Sequence, residues 1–192
     1  MRKPIISDEE LVTQYLAGNE ACLRVLINRH KTRIYTSIFL LVRERYLAED
    51  IFQDTFVKII DTLKKGNYHE KGKFLQWALC IARNLVMDHF RKSKKVPLIV
   101  DSDGNDVLDY VCGTEENRED QIIRDQTESK VRQLIQHLPE EQREVLILRH
   151  YADMNFKEIA QLTGVSINTA LGRMRYALSN MRKLIEKHQI SL

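Results

Sequence analysis

The sequence predicts an all-α protein of two small helical domains joined by a flexible acidic linker. Three observations carry that prediction. Glycine and proline number only 7 and 3 in 192 residues, and strong helix formers fill much of the rest. Apolar residues recur at three- and four-residue intervals through both halves of the chain. Capping residues stand in front of several of those runs. Charge divides the chain the same way. From Asp101 to Asp125 there are nine acids and two bases, net −7, so the remainder carries +10 although the whole is only +3. Two basic lobes around an acidic middle suit a polyanionic partner.

Ser7-Asp8-Glu9-Glu10 has the form of a capping box and opens a first helix with Leu11, Val12, Tyr15 and Leu16 on its apolar side, closed by Gly18. Asn19 caps a second helix, Glu20 to Val42, whose buried side is Leu23, Leu26, Ile27, Ile34, Ile38 and Leu41. Arg43-Glu44-Arg45-Tyr46 reads as a break. The third helix, Ala48 to Leu63, has a buried stripe of Ile51, Phe52, Thr55, Phe56, Ile59, Ile60 and Leu63. Its opposite side presents Glu49, Asp50, Gln53, Asp54, Lys58 and Asp61. On the residues alone this ridge is either a solvated face or a docking surface for a helical partner.

A loop from Lys64 to Lys73, with Gly66 and Gly72 near its ends, contains Asn67, Tyr68 and His69. The fourth helix runs from Phe74 to Lys92 with Phe74, Ala78, Ile81, Leu85 and Phe90 toward the core. Arg83, Asn84, Asp88, Arg91, Lys92, Lys94 and Lys95 crowd its polar side and end, five bases against one acid from Ala82 to Lys95. Cations gather at helix C-termini for dipole reasons alone. Beside Tyr68 and Trp77 they also suit single-stranded nucleic acid, because every base has a face to stack on. Both readings stand, as does a core role for Trp77.

Residues 96–119 form the linker, rich in turn chemistry. A helix resumes near Glu119. Leu138-Pro139-Glu140-Glu141 starts the next, with proline and acids in the first turn and Val145, Leu146 and Leu148 apolar. Asn155-Phe156-Lys157-Glu158 is a capping box opening a short helix with Phe156, Ile159, Ala160 and Leu162 inward. Gly164 makes a sharp turn, and Ser166 caps a longer helix. Between Ser166 and Lys183 that helix carries Arg173, Arg175, Arg182 and Lys183 and no acid. Ala170, Met174, Ala177 and Met181 face the core, leaving Asn168, Thr169, Arg173 and Tyr176 outward. A short helix, a glycine turn and a longer basic helix make a helix-turn-helix, whose second helix enters the DNA major groove.

Other chemistries lack their residues. Cys22, Cys80 and Cys112 fit no disulfide framework or zinc spacing, and the six histidines make no metal spacing. No glycine-rich phosphate loop appears, so neither a catalytic residue nor a cofactor is expected. Without a leader or a run of apolar residues long enough to cross a bilayer, a cytoplasmic location with no membrane insertion is expected.

Three stretches go beyond a generic DNA-binding module. Ala48 through Lys58 resembles the core-polymerase-binding helix of bacterial sigma factors. Phe74-Leu75-Gln76-Trp77, with Ile81-Ala82-Arg83-Asn84 and Asp88, resembles their promoter-opening helix, and Leu138 through Arg173 their C-terminal helix-turn-helix. Their order, and the short linker, resemble the extracytoplasmic-function group.

The resemblance implies core RNA polymerase and promoter DNA as partners. Residues 1–95 would bind polymerase and the minus-ten element, and residues 120–192 the minus-thirty-five element. Asp50, Gln53, Asp54 and Lys58 would dock on polymerase. Tyr68 and its loop would hold a flipped base, beside Trp77, Arg83, Asn84, Asp88, Arg91, Lys92, Lys94 and Lys95. Ser166, Asn168, Thr169, Arg173 and Tyr176 would face the upstream element. An anti-sigma factor or another recruiting protein is a further implied partner. Many members carry a cation where this chain has Leu171, Tyr176 and Leu178, and a polar residue at Gly172. Fewer cations mean fewer phosphate contacts. Leu171 is left to touch a thymine methyl or a protein. A stand-alone helix-turn-helix regulator is the alternative, although such a protein has no use for the acidic ridge.

Overall fold

The computed structural model describes residues 6–68, 72–93 and 130–187. These are helical throughout apart from short connections, with no strand among them. The helices are α1 (Asp8–Leu16), α2 (Glu20–Val42), α3 (Arg45–Lys64), α4 (Phe74–Ser93), α5 (residues 130–136), α6 (Glu140–His150), α7 (Phe156–Thr163) and α8 (Ile167–Lys187). The chain divides into two compact units, residues 1–92 with 150–154, and residues 93–149 with 155–192. The acidic stretch at residues 96–119 lies outside the described residues.

In the first unit α1 packs on α2 and α2 on α3. The Ser7 hydroxyl accepts from the Glu10 amide at 3.2 Å and the Asn19 side chain from the Ala21 amide at 3.2 Å, so both starts are capped by the residues that the sequence offers. Leu26, Ile34, Ile38 and Leu41 of α2 are buried, while Leu23 and Ile27 are only half-buried. Leu16, expected on the apolar side of α1, is the last residue of the helix and is 53% exposed.

The break after α2 is shorter than the sequence suggests. Arg43 alone takes a left-handed conformation (φ 62°), and the Glu44 side chain accepts from the Leu47 amide at 3.2 Å. Arg45 and Tyr46 therefore belong to the first turn of α3. The α3 stripe is buried at Ile51, Thr55, Phe56, Ile59 and Leu63 and half-buried at Phe52 and Ile60.

α4 is rotated from its expected orientation. Phe74 and Ala78 are buried as predicted, but Leu75, Leu79, Ala82 and Val86 complete the face, and Ile81, Leu85 and Phe90 are half-buried. Apolar residues surround most of this helix, so the period alone does not select which arc turns inward.

His30 is a buried imidazole in the α1–α2 contact. Its Nε2 lies 2.7 Å from Asp8 Oδ2, while Arg29 binds the other Asp8 oxygen at 2.5 Å and the Ile6 carbonyl at 2.8 Å. Burial pushes the His30 imidazole below its ordinary 6.5. Asp8 pulls it up less strongly, and Arg29 and Arg33 add to the lowering. The unfolded chain thus takes up a proton that the folded helix pair resists. Stability falls as pH drops through 6.5 toward the lower folded value. Thermal melts of the full chain between about pH 7.5 and 5.5 should show this loss, and His30→Gln should flatten it. An unchanged slope in the variant would assign the effect to other groups.

In the second unit α7 packs on α8, and the Asn180 amide donates to Gln142 Oε1 at 2.8 Å, tying α8 to α6. The whole run Arg143–Leu148 is buried, wider than the apolar side expected at Val145, Leu146 and Leu148. The α7 capping box is complete: Asn155 Oδ1 accepts from the Glu158 amide at 3.0 Å, and Glu158 accepts from the Asn155 amide at 2.9 Å. Gly164 ends α7 at φ 71°, a conformation that needs glycine. Ser166 caps α8 by accepting from the Thr169 amide at 3.0 Å. Ala170, Ala177 and Met181 are buried, with Met174, Phe156 and Leu162 half-buried.

Candidate nucleic-acid interface

Three surfaces hold the candidate residues, two in the first unit and one in the second. On α3, Asp50, Gln53, Asp54 and Lys58 are all exposed. The acids at the ends of this ridge are paired locally, Glu49 with Arg45 at 3.0 Å and Asp61 with the C-cap residue Lys65 at 2.7 Å. Asp50 and Asp54 make no ion pair among the described residues. Two uncompensated carboxylates one turn apart repel each other slightly in the free chain and suit a cationic partner. The same face also exposes Tyr46 (77%) and Val57 (66%), four residues before and seven after Asp50. Neither is among the polar residues expected on the ridge from the sequence. Val57 was detectable as an apolar residue out of phase with the buried stripe. Tyr46 was hidden by the misplaced helix start.

The second surface forms where the loop after α3 meets α4. Tyr68 and Trp77 rings lie 4.2 Å apart between centroids, each beside buried Phe74, at 6.2 and 5.8 Å. Phe74 in turn lies 5.6 Å from His30. The pair therefore rests on a pedestal anchored in the core, with Tyr68 and Trp77 themselves half-buried. Along α4, Trp77, Asn84, Asp88 and Arg91 recur at seven-, four- and three-residue steps, which places them on one outward stripe. Arg91 pairs with Asp88 across one turn. Arg83 lies off this stripe, half-buried, and Lys92 is exposed near the helix end. Lys94 and Lys95 lie outside the described residues.

On α8, Asn168, Thr169 and Tyr176 are exposed, Tyr176 by 65%, and Arg173 is half-buried at the flank of the helix. The Ser166 and Thr169 hydroxyls lie 2.9 Å apart and bond to each other. Their polar capacity is thus partly spent on the helix cap. Asn168 and Tyr176 share the outward side of the helix with Gly172, which stands four residues from each.

Family models match both units: sigma-70 region 2 over residues 26–96, and sigma-70 region 4 over residues 128–179. The chain belongs to the sigma-70 family of RNA polymerase sigma factors. Within it the chain falls in the extracytoplasmic-function group. It is 26% identical to RNA polymerase sigma-H factor of Pseudomonas aeruginosa over 183 residues, covering 93% of this chain and 94% of that one. It is 23% identical to the ECF sigma factor SigW of Bacillus subtilis over 177 residues, covering 90% and 93%. Among solved structures it is similar to CnrH in complex with the cytosolic domain of CnrY (TM-score 0.60, 20% identity, 95% of this chain and 99% of that one). It is also similar to RpoE in complex with the anti-sigma factor NepR from Bartonella quintana (TM-score 0.63, 18% identity, 85% and 96%). At these identities the likeness shows the fold.

Proposed function

We propose that this sigma factor docks on core RNA polymerase through Asp50, Gln53, Asp54 and Lys58, with Tyr46 and Val57 as apolar anchors. The observation that carries the reading is the pair of unneutralised carboxylates at the centre of a ridge whose end acids are neutralised. Residues 1–95 act as the polymerase- and minus-ten-binding domain, 96–119 as an acidic linker and 120–192 as the upstream-element domain. Trp77 and Tyr68 receive an unstacked base, and Asn84, Asp88 and Arg91 with Lys92, Lys94 and Lys95 follow the strand. Arg83 supports this surface from its flank. Ser166, Asn168, Thr169, Arg173 and Tyr176 face the upstream element. The chain has no catalytic activity of its own. It works in the cytoplasm, in keeping with the finding that no described helix is long and apolar enough to cross a membrane. An anti-sigma factor is the expected regulator, since the similar RpoE structure is a complex with one.

Arg173→Ala tests the division of labour. Loss of one good base or phosphate contact, about 1–3 kcal/mol, should reduce initiation from a duplex promoter roughly tenfold. A template already opened around the start site should show a much smaller loss. Equal losses on both would mean that half-buried Arg173 acts through folding.

A further inference from the structure

α8 leaves three aliphatic side chains open: Ile167 (46%), Leu171 (41%) and Leu178 (44%). At steps of four and seven residues they form one stripe beside the buried Ala170–Ala177–Met181 face. Exposed Arg175 and Arg182 border that stripe on its outer side, each four residues beyond a leucine. Ile167 and Leu171 occupy the first two turns, the part of a recognition helix that reaches base edges. Leu178 lies about 10 Å further along the axis.

Gly172 adds an independent observation. Glycine inside a helix costs about 0.5–1 kcal/mol relative to alanine, and its usual reasons are a positive φ or close approach of other atoms. Here the φ is ordinary, and a Cβ added at Gly172 would meet nothing within 4 Å. The crowding that would favour glycine is therefore not within the described residues. Gly172 thus leaves open space on α8, next in sequence to Leu171, that a side chain would otherwise fill.

An aliphatic side chain cannot hydrogen-bond a base or neutralise a phosphate. What the major groove offers it is the C5 methyl of thymine, the apolar group among the base edges there. Building on the helix-turn-helix reading above, we propose that Ile167 and Leu171 read thymine methyl groups in the upstream promoter element. Gly172 lets the duplex sit close to the helix, and Arg175 holds an adjacent phosphate.

The test uses the full chain assembled with core polymerase. Promoter duplexes are first selected from a library randomised upstream of the minus-ten element. Each thymine in the selected sequence is then replaced by uracil, which removes the methyl group and nothing else. The expected result is at least one thymine whose replacement weakens binding about fourfold, the worth of one buried methyl. At that position Leu171→Ala or Ile167→Ala should bind thymine and uracil duplexes equally. The proposal is overturned if no replacement weakens binding, or if the alanine variants keep the full difference. A library that shows no upstream enrichment overturns the helix-turn-helix reading itself, and this inference with it.

Discussion

Replacing Asp50 and Asp54 together by lysine should reduce binding to core RNA polymerase on the order of a hundredfold or more. Removing one member of an interfacial charge pair typically costs about 2–5 kcal/mol, and reversal adds repulsion. Each 1.4 kcal/mol is about tenfold in affinity. The fold should tolerate the change, because both carboxylates are exposed and make no ion pair among the described residues. Lysine is also as good a helix former as this interior needs. Tyr46→Ala and Val57→Ala should each weaken binding by a smaller factor and leave its salt dependence intact, since they remove apolar area rather than charge. Co-purification of the double lysine variant at the wild-type level would make α3 a solvated face.

Trp77→Ala should lower affinity for a single-stranded minus-ten oligonucleotide by about tenfold or more when the chain is mounted on core polymerase. Stacking of one base on an aromatic side chain is worth about 1–3 kcal/mol. Trp77 and Tyr68 are in contact with each other and with Phe74, so the loss of the indole also leaves Tyr68 without its neighbour. Trp77→Phe keeps an aromatic face and should keep most of the affinity. Polymerase binding, carried by α3, should be unaffected in both variants. A Trp77→Ala chain that melts earlier yet binds the oligonucleotide normally would reduce the cluster to core packing.

The second unit was the more legible in the sequence, for a physical reason. Its punctuation is local: Asn155 and Glu158 satisfy each other's amides, Gly164 alone suits a φ of 71°, and Ser166 caps the next helix within one turn. Such signals depend on a few neighbouring residues and survive any tertiary arrangement. The α3 start failed because it depends on Arg43 adopting a left-handed conformation without being glycine, which no local preference announces. α4 failed in orientation because apolar residues cover Leu75, Ala78, Leu79, Ile81, Ala82, Leu85 and Val86, too wide an arc for periodicity to choose its centre. Phe74 lies inward in either orientation, against His30 and the aromatic pair, so it does not select between them. The candidate surfaces divide in the same way. The acids of α3 stand out as a ridge and Val57 is legible as out of phase with its stripe, but Tyr46 joins that face only once the helix is seen to start at Arg45.

The central claim is tested most directly by mapping the 5′ ends of transcripts that core polymerase makes with and without the full chain, on a fragmented bacterial genome. The expected result is a small set of new starts, each preceded by the same two short sequences at a fixed spacing, and absent with the Asp50→Lys/Asp54→Lys chain. Starts that are unchanged by adding the protein would contradict the account.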